Sequence, residues 1–137
     1  MKKALEVQIF VDGASKGNPG LASIGAVILD TEGETLKTLS EFIGTATNNI
    51  AEYFALIYAL QEALSMGVKR VAVKTDSQLM ARQFTGEYET REPHVKLMHK
   101  IVKRLASYFD VCTVTHIPRE ENHEADRLAN QAIDAVR

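Results

Sequence analysis

From Ile50 to Leu64 the chain is almost wholly apolar, in the order Ile-Ala-Glu-Tyr-Phe-Ala-Leu-Ile-Tyr-Ala-Leu-Gln-Glu-Ala-Leu. A helix of this pattern is deeply buried, so other layers have to enclose it. Thr47, Asn48 and Asn49 each suit its N-cap, and Met66-Gly67 suits its end. What precedes it is strand-like. Leu5, Val7, Ile9 and Val11 alternate, with Phe10 on the opposite face, so this first strand is expected at the centre of a sheet. Ser23–Asp30 reads as a second strand, Thr31–Glu34 as a hairpin turn and Thr35–Ile43 as a third strand. These form an antiparallel meander. Val68–Thr75 is a fourth strand after a helix, so it should pair parallel to the first through a right-handed crossover.

The remainder alternates in kind. Gln78–Phe84 is a short helix, Thr85–Pro93 a loop and Val95–Tyr108 a helix. Val111–Ile117 is a fifth strand, Pro118–Glu121 a loop, and Asn122 caps a last helix reaching about Val136. The expected architecture is α/β, a mixed five-stranded sheet in the order βββαβααβα flanked by helices, as one domain over residues 1–137. With 45% hydrophobic residues a single core forms without staples. No apolar run approaches the roughly 20 residues that span a bilayer, and Met1-Lys2-Lys3-Ala4 lacks a signal-peptide pattern. The single cysteine, Cys112, excludes an internal disulfide and suggests a reducing cytoplasm. A monomer is expected. The net charge of −2 neither marks nor excludes a nucleic-acid binder.

Four acids stand out. Asp12 ends the first strand and opens a tight loop, Gly13-Ala14-Ser15-Lys16-Gly17-Asn18-Pro19-Gly20; Asp76 ends the fourth strand. If those strands are parallel neighbours, both carboxylates emerge at the sheet end where α/β proteins place ligands. Glu52 sits on an apolar helix face, with Leu56 and Leu60 below it. A buried carboxylate must be neutral, paired or bound to a cation. Asp126 begins the last helix beside Ala125, Leu128 and Ala129. Each acid has a local alternative. Asp12 can start a turn, Asp76 or Ser77 can cap a helix, Glu52 has capping-box spacing to Asn49, and Asp126 can favour a helix N-terminus. Taken together, convergent carboxylates suit a hard cation such as magnesium or manganese. Two ions about 3.5–4 Å apart clamp the attacking water and the leaving oxygen of a phosphodiester. Cys112 lies in a strand pattern and reads as core, not nucleophile.

These residues resemble the ribonuclease HI family. The resemblance is carried by Asp12–Gly20, by Thr47-Asn48-Asn49-Ile50-Ala51-Glu52, by Thr75-Asp76-Ser77, and by Pro118-Arg119-Glu120-Glu121-Asn122-His123-Glu124-Ala125-Asp126. It implies an RNase H-like fold and a magnesium-dependent endonuclease, with manganese as substitute. Such an enzyme cuts the RNA strand of RNA–DNA hybrids, leaving 5′-phosphate and 3′-hydroxyl ends. It implies that Asp12, Glu52, Asp76 and Asp126 hold two ions, and that Gly13, Ser15, Asn18, Asn48 and Asn49 meet the substrate. Amide side chains donate and accept, which suits 2′-hydroxyls and base edges in a wide groove. The asparagines alternatively serve a turn or a helix cap. Double-stranded RNA is a conceivable second substrate.

Two departures stand out. Thr85–Tyr108 is too short for the basic protrusion many members carry, leaving Lys96, Lys100, Lys103 and Arg104 as a partial basic stripe or an ordinary solvated face. The loop before the last helix also lacks the histidine many members place there. Arg119, Glu120 and His123 are the candidates to replace it. Other readings are a related nuclease of the same fold, a silent hybrid-binding module, or a phosphate-binding glycine loop. The last is disfavoured because the loop joins two strands and opens no helix.

Overall fold

The computed structural model describes residues 6–136, so Leu5 of the first strand pattern lies outside the described residues. The elements are β1 (Glu6–Gly17), β2 (Gly20–Leu29), β3 (Thr35–Ala46), α1 (Asn48–Ser65), β4 (Arg70–Thr75), α2 (Gln78–Thr85), α3 (Pro93–Ala106), β5 (Val111–His116) and α4 (His123–Asp134). A single 3-10 turn, Arg119–Glu121, occupies the expected loop before α4. The five strands form one sheet in the order β3-β2-β1-β4-β5, with β1 central. β1, β2 and β3 pair antiparallel, while β1/β4 and β4/β5 pair parallel. The mixed five-stranded α/β architecture read from the sequence is the one observed.

The glycine-rich stretch after Asp12 differs from its expectation as a loop. β1 runs on to Gly17 and stays paired with β2 from Gln8↔Leu29 to Gly17↔Gly20, leaving only Asn18 and Pro19 as the turn. The local composition suggests a loop, but two strands that pair residue for residue satisfy the backbone groups they turn toward each other, and the ladder wins. Gly17 has φ 114°, a left-handed value that glycine adopts without strain. β4 reaches only as far as Val11↔Thr75. Asp12 is therefore mid-strand with respect to β2 and sits one residue past the end of the β4 ladder. That mismatch in length opens the crevice.

α1 and α4 cover opposite faces of the sheet. Odd-numbered β1 residues Val7, Ile9 and Val11 pack with Leu56, Leu60 and Ala63 of α1 in the main core. From Ile50 onward α1 exposes only Gln61 and Ser65. Buried leucines such as Leu56 and Leu60 contribute roughly 2 kcal/mol each, which anchors the helix carrying Glu52. On the other face α4 packs Ala125, Leu128 and Ala129 against β2. Both approaches use glycine. A Cβ on Gly13 would lie 2.3 Å from the Ala51 carbonyl carbon, and one on Gly25 would lie 2.2 Å from the Ala125 oxygen. α3 starts earlier than its hydrophobic pattern, at Pro93, because Glu92 caps it by accepting from the His94 and Val95 amides.

Candidate active site

The acids converge where β1 outlasts β4. Asp12 is 5% exposed and directly paired with Gly25. Glu52 comes from the second turn of α1, and its Oε1 accepts the Gly13 amide at 2.8 Å. That long-range bond replaces the capping box with Asn49. The cap is Thr47, whose Oγ1 accepts from the Ile50 amide at 3.2 Å. Asp76 follows β4, and Ser77, not Asp76, caps α2 through the Met80 amide. Carboxylate oxygens of Asp12, Glu52 and Asp76 lie within 4.8 Å of one another, close enough to hold one cation. Asp126, from the first turn of α4, completes the rim of the same cavity of about 400 Å³.

Electrostatics show how unfavourable this gathering is without a cation. Burial pushes the Asp12 carboxyl up to about 9, helped by the charges of Glu52 and Asp76 and by a hydrogen bond with the Asp126 side chain. Burial also raises Glu52 to about 8, against the opposing pull of the Gly13 amide and the Arg119 charge. Among the described residues no lysine or arginine lies within ion-pair distance of any of these acids. Buried and half-buried oxygen donors crowded together, with no ion-pair partner, suit a hard divalent cation. The only cysteine, Cys112, is half-buried in β5 and its thiol is raised to about 11 by burial, so it offers no thiolate.

The chain matches a family model described as "Reverse transcriptase-like" over residues 10–132. It is 41% identical over 128 residues to ribonuclease HI of Halobacterium salinarum, covering 93% of this chain and 64% of that protein. This chain belongs to the ribonuclease HI family. The crystal structure of RNase H1 from the halophilic archaeon Halobacterium salinarum superposes with a TM-score of 0.93 at 41% identity, covering 95% of this chain and 98% of that one. LC11-RNase H1, solved in complex with an RNA/DNA hybrid, superposes with a TM-score of 0.90 at 41% identity, covering 95% and 98%. The chain spans less than two thirds of the length of the Halobacterium relative.

The remaining sequence-predicted residues of this ribonuclease HI family member divide by position. Ser15 and Asn48 line the acid cavity. The Ser15 hydroxyl donates to the Ala46 carbonyl at 2.9 Å and also contacts the Gly17 carbonyl. Asn18 Oδ1 accepts the Asn48 amide at 3.0 Å, tying the hairpin tip to the start of α1. Asn48 and Asn49 are exposed and neither caps α1, so both side chains face outward from its first turn. Of the three candidates for the missing histidine, Arg119 lines the cavity. Glu120 is exposed outside it, and His123 borders a neighbouring hollow beside Asp126 and Arg127. The basic stripe is split. Lys96 and Lys100 border an open pocket with Arg91, whereas Lys103 lies 4.3 Å over the Phe84 ring and Arg104 lies 5.9 Å from Tyr108.

Asn122 is the residue that sequence reasoning misplaced. It precedes α4 but makes no cap bond. Its Nδ2 donates instead to the Val11 carbonyl at 2.8 Å and to Asp76 Oδ2 at 3.4 Å. At 1% exposure it joins the ends of β1, β4 and α4. A cap is a local pattern, legible in sequence; a bond across 111 positions is not. Asn130 was also not singled out. It lies one turn beyond Asp126 and borders the same cavity.

Proposed function

We propose that this chain is a divalent-metal-dependent endoribonuclease that hydrolyses the RNA strand of RNA–DNA hybrids, leaving 5′-phosphate and 3′-hydroxyl ends. The observation that carries the reading is the meeting of Asp12, Glu52 and Asp76 oxygens within 4.8 Å in a crevice whose rim bears Asp126. Asp12, Glu52, Asp76 and Asp126 would hold two magnesium ions, with manganese as substitute, and ions bound there would supply activation of a water and charge neutralisation at the leaving oxygen. The Gly13 amide fixes the Glu52 carboxylate, and Asn122 fixes the Asp76 carboxylate.

Substrate recognition falls to the β1–β2 hairpin and the start of α1. Gly13 and Ser15 shape the floor. Asn48 and Asn49 present amides to the minor groove, and Asn18, its carbonyl already engaged, offers its NH₂ group to a 2′-hydroxyl. Such contacts read shape, so sequence preference is weak. Arg119 stands in for the histidine as a charge that steadies the scissile phosphate. An arginine stays protonated throughout the working range, so it shuttles no proton.

The wider reading is of one catalytic domain over residues 1–137, acting as a monomer. With one cysteine and no disulfide to form, it suits the cytoplasm. No helix among the described residues is long and apolar enough to cross a membrane. The test incubates the protein with labelled RNA–DNA hybrid, double-stranded RNA and double-stranded DNA, each with magnesium, manganese or EDTA, alongside Asp76→Asn. Hybrid cleavage that needs metal and disappears in Asp76→Asn is expected. Cleavage in EDTA, or full activity in the variant, overturns the mechanism. Cleavage of double-stranded RNA but not hybrid overturns the substrate.

A further inference from the structure

Asp126 lies at the rim of the acid cavity. It does not join the tight trio of Asp12, Glu52 and Asp76, and it projects from a half-buried helical position. Besides its hydrogen bond with Asp12, a second side chain restrains it. Asn130, one turn further along α4, donates from Nδ2 to Asp126 Oδ1 at 3.2 Å and to the Asp126 carbonyl at 2.9 Å. The amide's other end is spoken for as well. Asn130 Oδ1 accepts from Lys16 Nζ at 3.2 Å, across from the β1–β2 hairpin. An ammonium only donates, so this contact holds the amide with its oxygen toward Lys16 and its NH₂ toward Asp126. A bond inside one helix turn is commonplace on a solvated face. Here the contact from a residue 114 positions away, and the place of both Lys16 and Asn130 on the acid cavity, set it apart.

We propose that Asn130 is a positioning residue for Asp126. It occupies one carboxylate oxygen and leaves the other directed to the metal site, with Lys16 fixing the amide. This rests on the metal-binding reading of the four acids.

The test is calorimetric titration of magnesium and of manganese into wild type, Asn130→Ala, Asn130→Asp and Lys16→Met, without nucleic acid. Steady-state cleavage of hybrid at several magnesium concentrations is measured beside it. Asn130→Ala should weaken metal binding about 10- to 100-fold, the usual cost of removing the hydrogen-bond partner of a ligating carboxylate. Asn130→Asp, which sets a carboxylate against Asp126, should weaken it more, and Lys16→Met less. In the kinetics, kcat at limiting magnesium should fall and be restored by added magnesium, with KM for hybrid unchanged in the Asn130 variants. A merely structural role would not give rescue by metal. Wild-type metal affinity in both Asn130 variants, or a change confined to KM, overturns the proposal while leaving the metal site standing. Failure of the wild type itself to bind either ion overturns the underlying reading as well as this one.

Discussion

Neutralising Asp12 should make the metal-free protein more stable while removing the proposed activity. The Asp12 carboxyl, raised to about 9 by burial and by the charges of Glu52 and Asp76, keeps a proton in the folded state that the unfolded chain releases near its ordinary value of 3.8. A folded state that binds more protons than the unfolded one loses stability as pH rises, at about 1.4 kcal/mol per pH unit for one proton. Between about pH 5 and about pH 7 this one group therefore removes about 3 kcal/mol. Glu52, raised to about 8, acts in the same direction, but it accepts a hydrogen bond from Asp12, so the two share part of one effect. In Asp12→Asn the amide keeps a donor toward Glu52 without requiring a proton. Allowing for relaxation around a site at the mouth of a cavity, the variant should exceed wild type by about 2 kcal/mol or more near neutral pH, and the gap should shrink toward about pH 5.

The assay is urea denaturation of both proteins in EDTA across that range, repeated with excess magnesium. Magnesium should reverse the order. A cation binds the folded wild type and stabilises it by mass action, and it has one ligand fewer in the variant. If Asp12→Asn in EDTA is no more stable than wild type near neutral pH, or if the difference does not change with pH, the clustering of like charges described here is wrong.

Other expectations concern how the site is held. Gly25→Ala places a Cβ 2.2 Å from the Ala125 oxygen and 2.6 Å from the Ala129 nitrogen, both backbone, so α4 must move; a destabilisation of about 1–3 kcal/mol in urea is expected, with lower kcat because Asp126 moves with the helix. Asn122→Ala strands the buried Val11 carbonyl and releases Asp76; about 1–3 kcal/mol should be lost, and the magnesium concentration for half-maximal rate should rise. If Arg119 takes the role proposed for it, kcat should lack an inflection near the histidine range of about 6.5, measured by pH–rate profiles. Hybrid affinity should fall steeply with salt, by about 0.9 in log–log slope per phosphate contacted, in filter-binding titrations.

The framework was legible because each element announces itself by period. Alternation at Val7, Ile9 and Val11, an apolar run at Ile50–Leu64 and the order of strands and helices lead to one sheet with β1 at its centre. Asp12, Glu52 and Asp76 were also legible, since a carboxylate at a strand end or on an apolar helix face calls for an explanation. What was not legible depends on contacts between distant segments. The glycine-rich stretch looks like a loop because its residues have no strand preference; only pairing with β2 makes it strand. Asn122 reads as a cap because the Val11 carbonyl that captures it is far away in sequence. Gly25 carries no signal, since a glycine in a strand is silent until a helix lies across it.

The site's geometry depends on backbone approach more than on the acids' own side chains. Gly13 admits α1 on one face, and its amide grips Glu52 as a consequence of the same closeness. Gly25, the residue paired with Asp12, admits α4 on the other face and so sets how near Asp126 comes. The two helices thus meet the end of β1 from opposite sides at neighbouring positions. β4 stops one residue short, which leaves Asp12 flanked on that side by Asp76 rather than by another strand. Any change that lengthens the β1–β4 ladder, or adds a Cβ at either glycine, would spread the carboxylates without altering one of them. Restoring an acid elsewhere could not compensate, because the charges must crowd to a cation's radius before the cation's binding repays their repulsion.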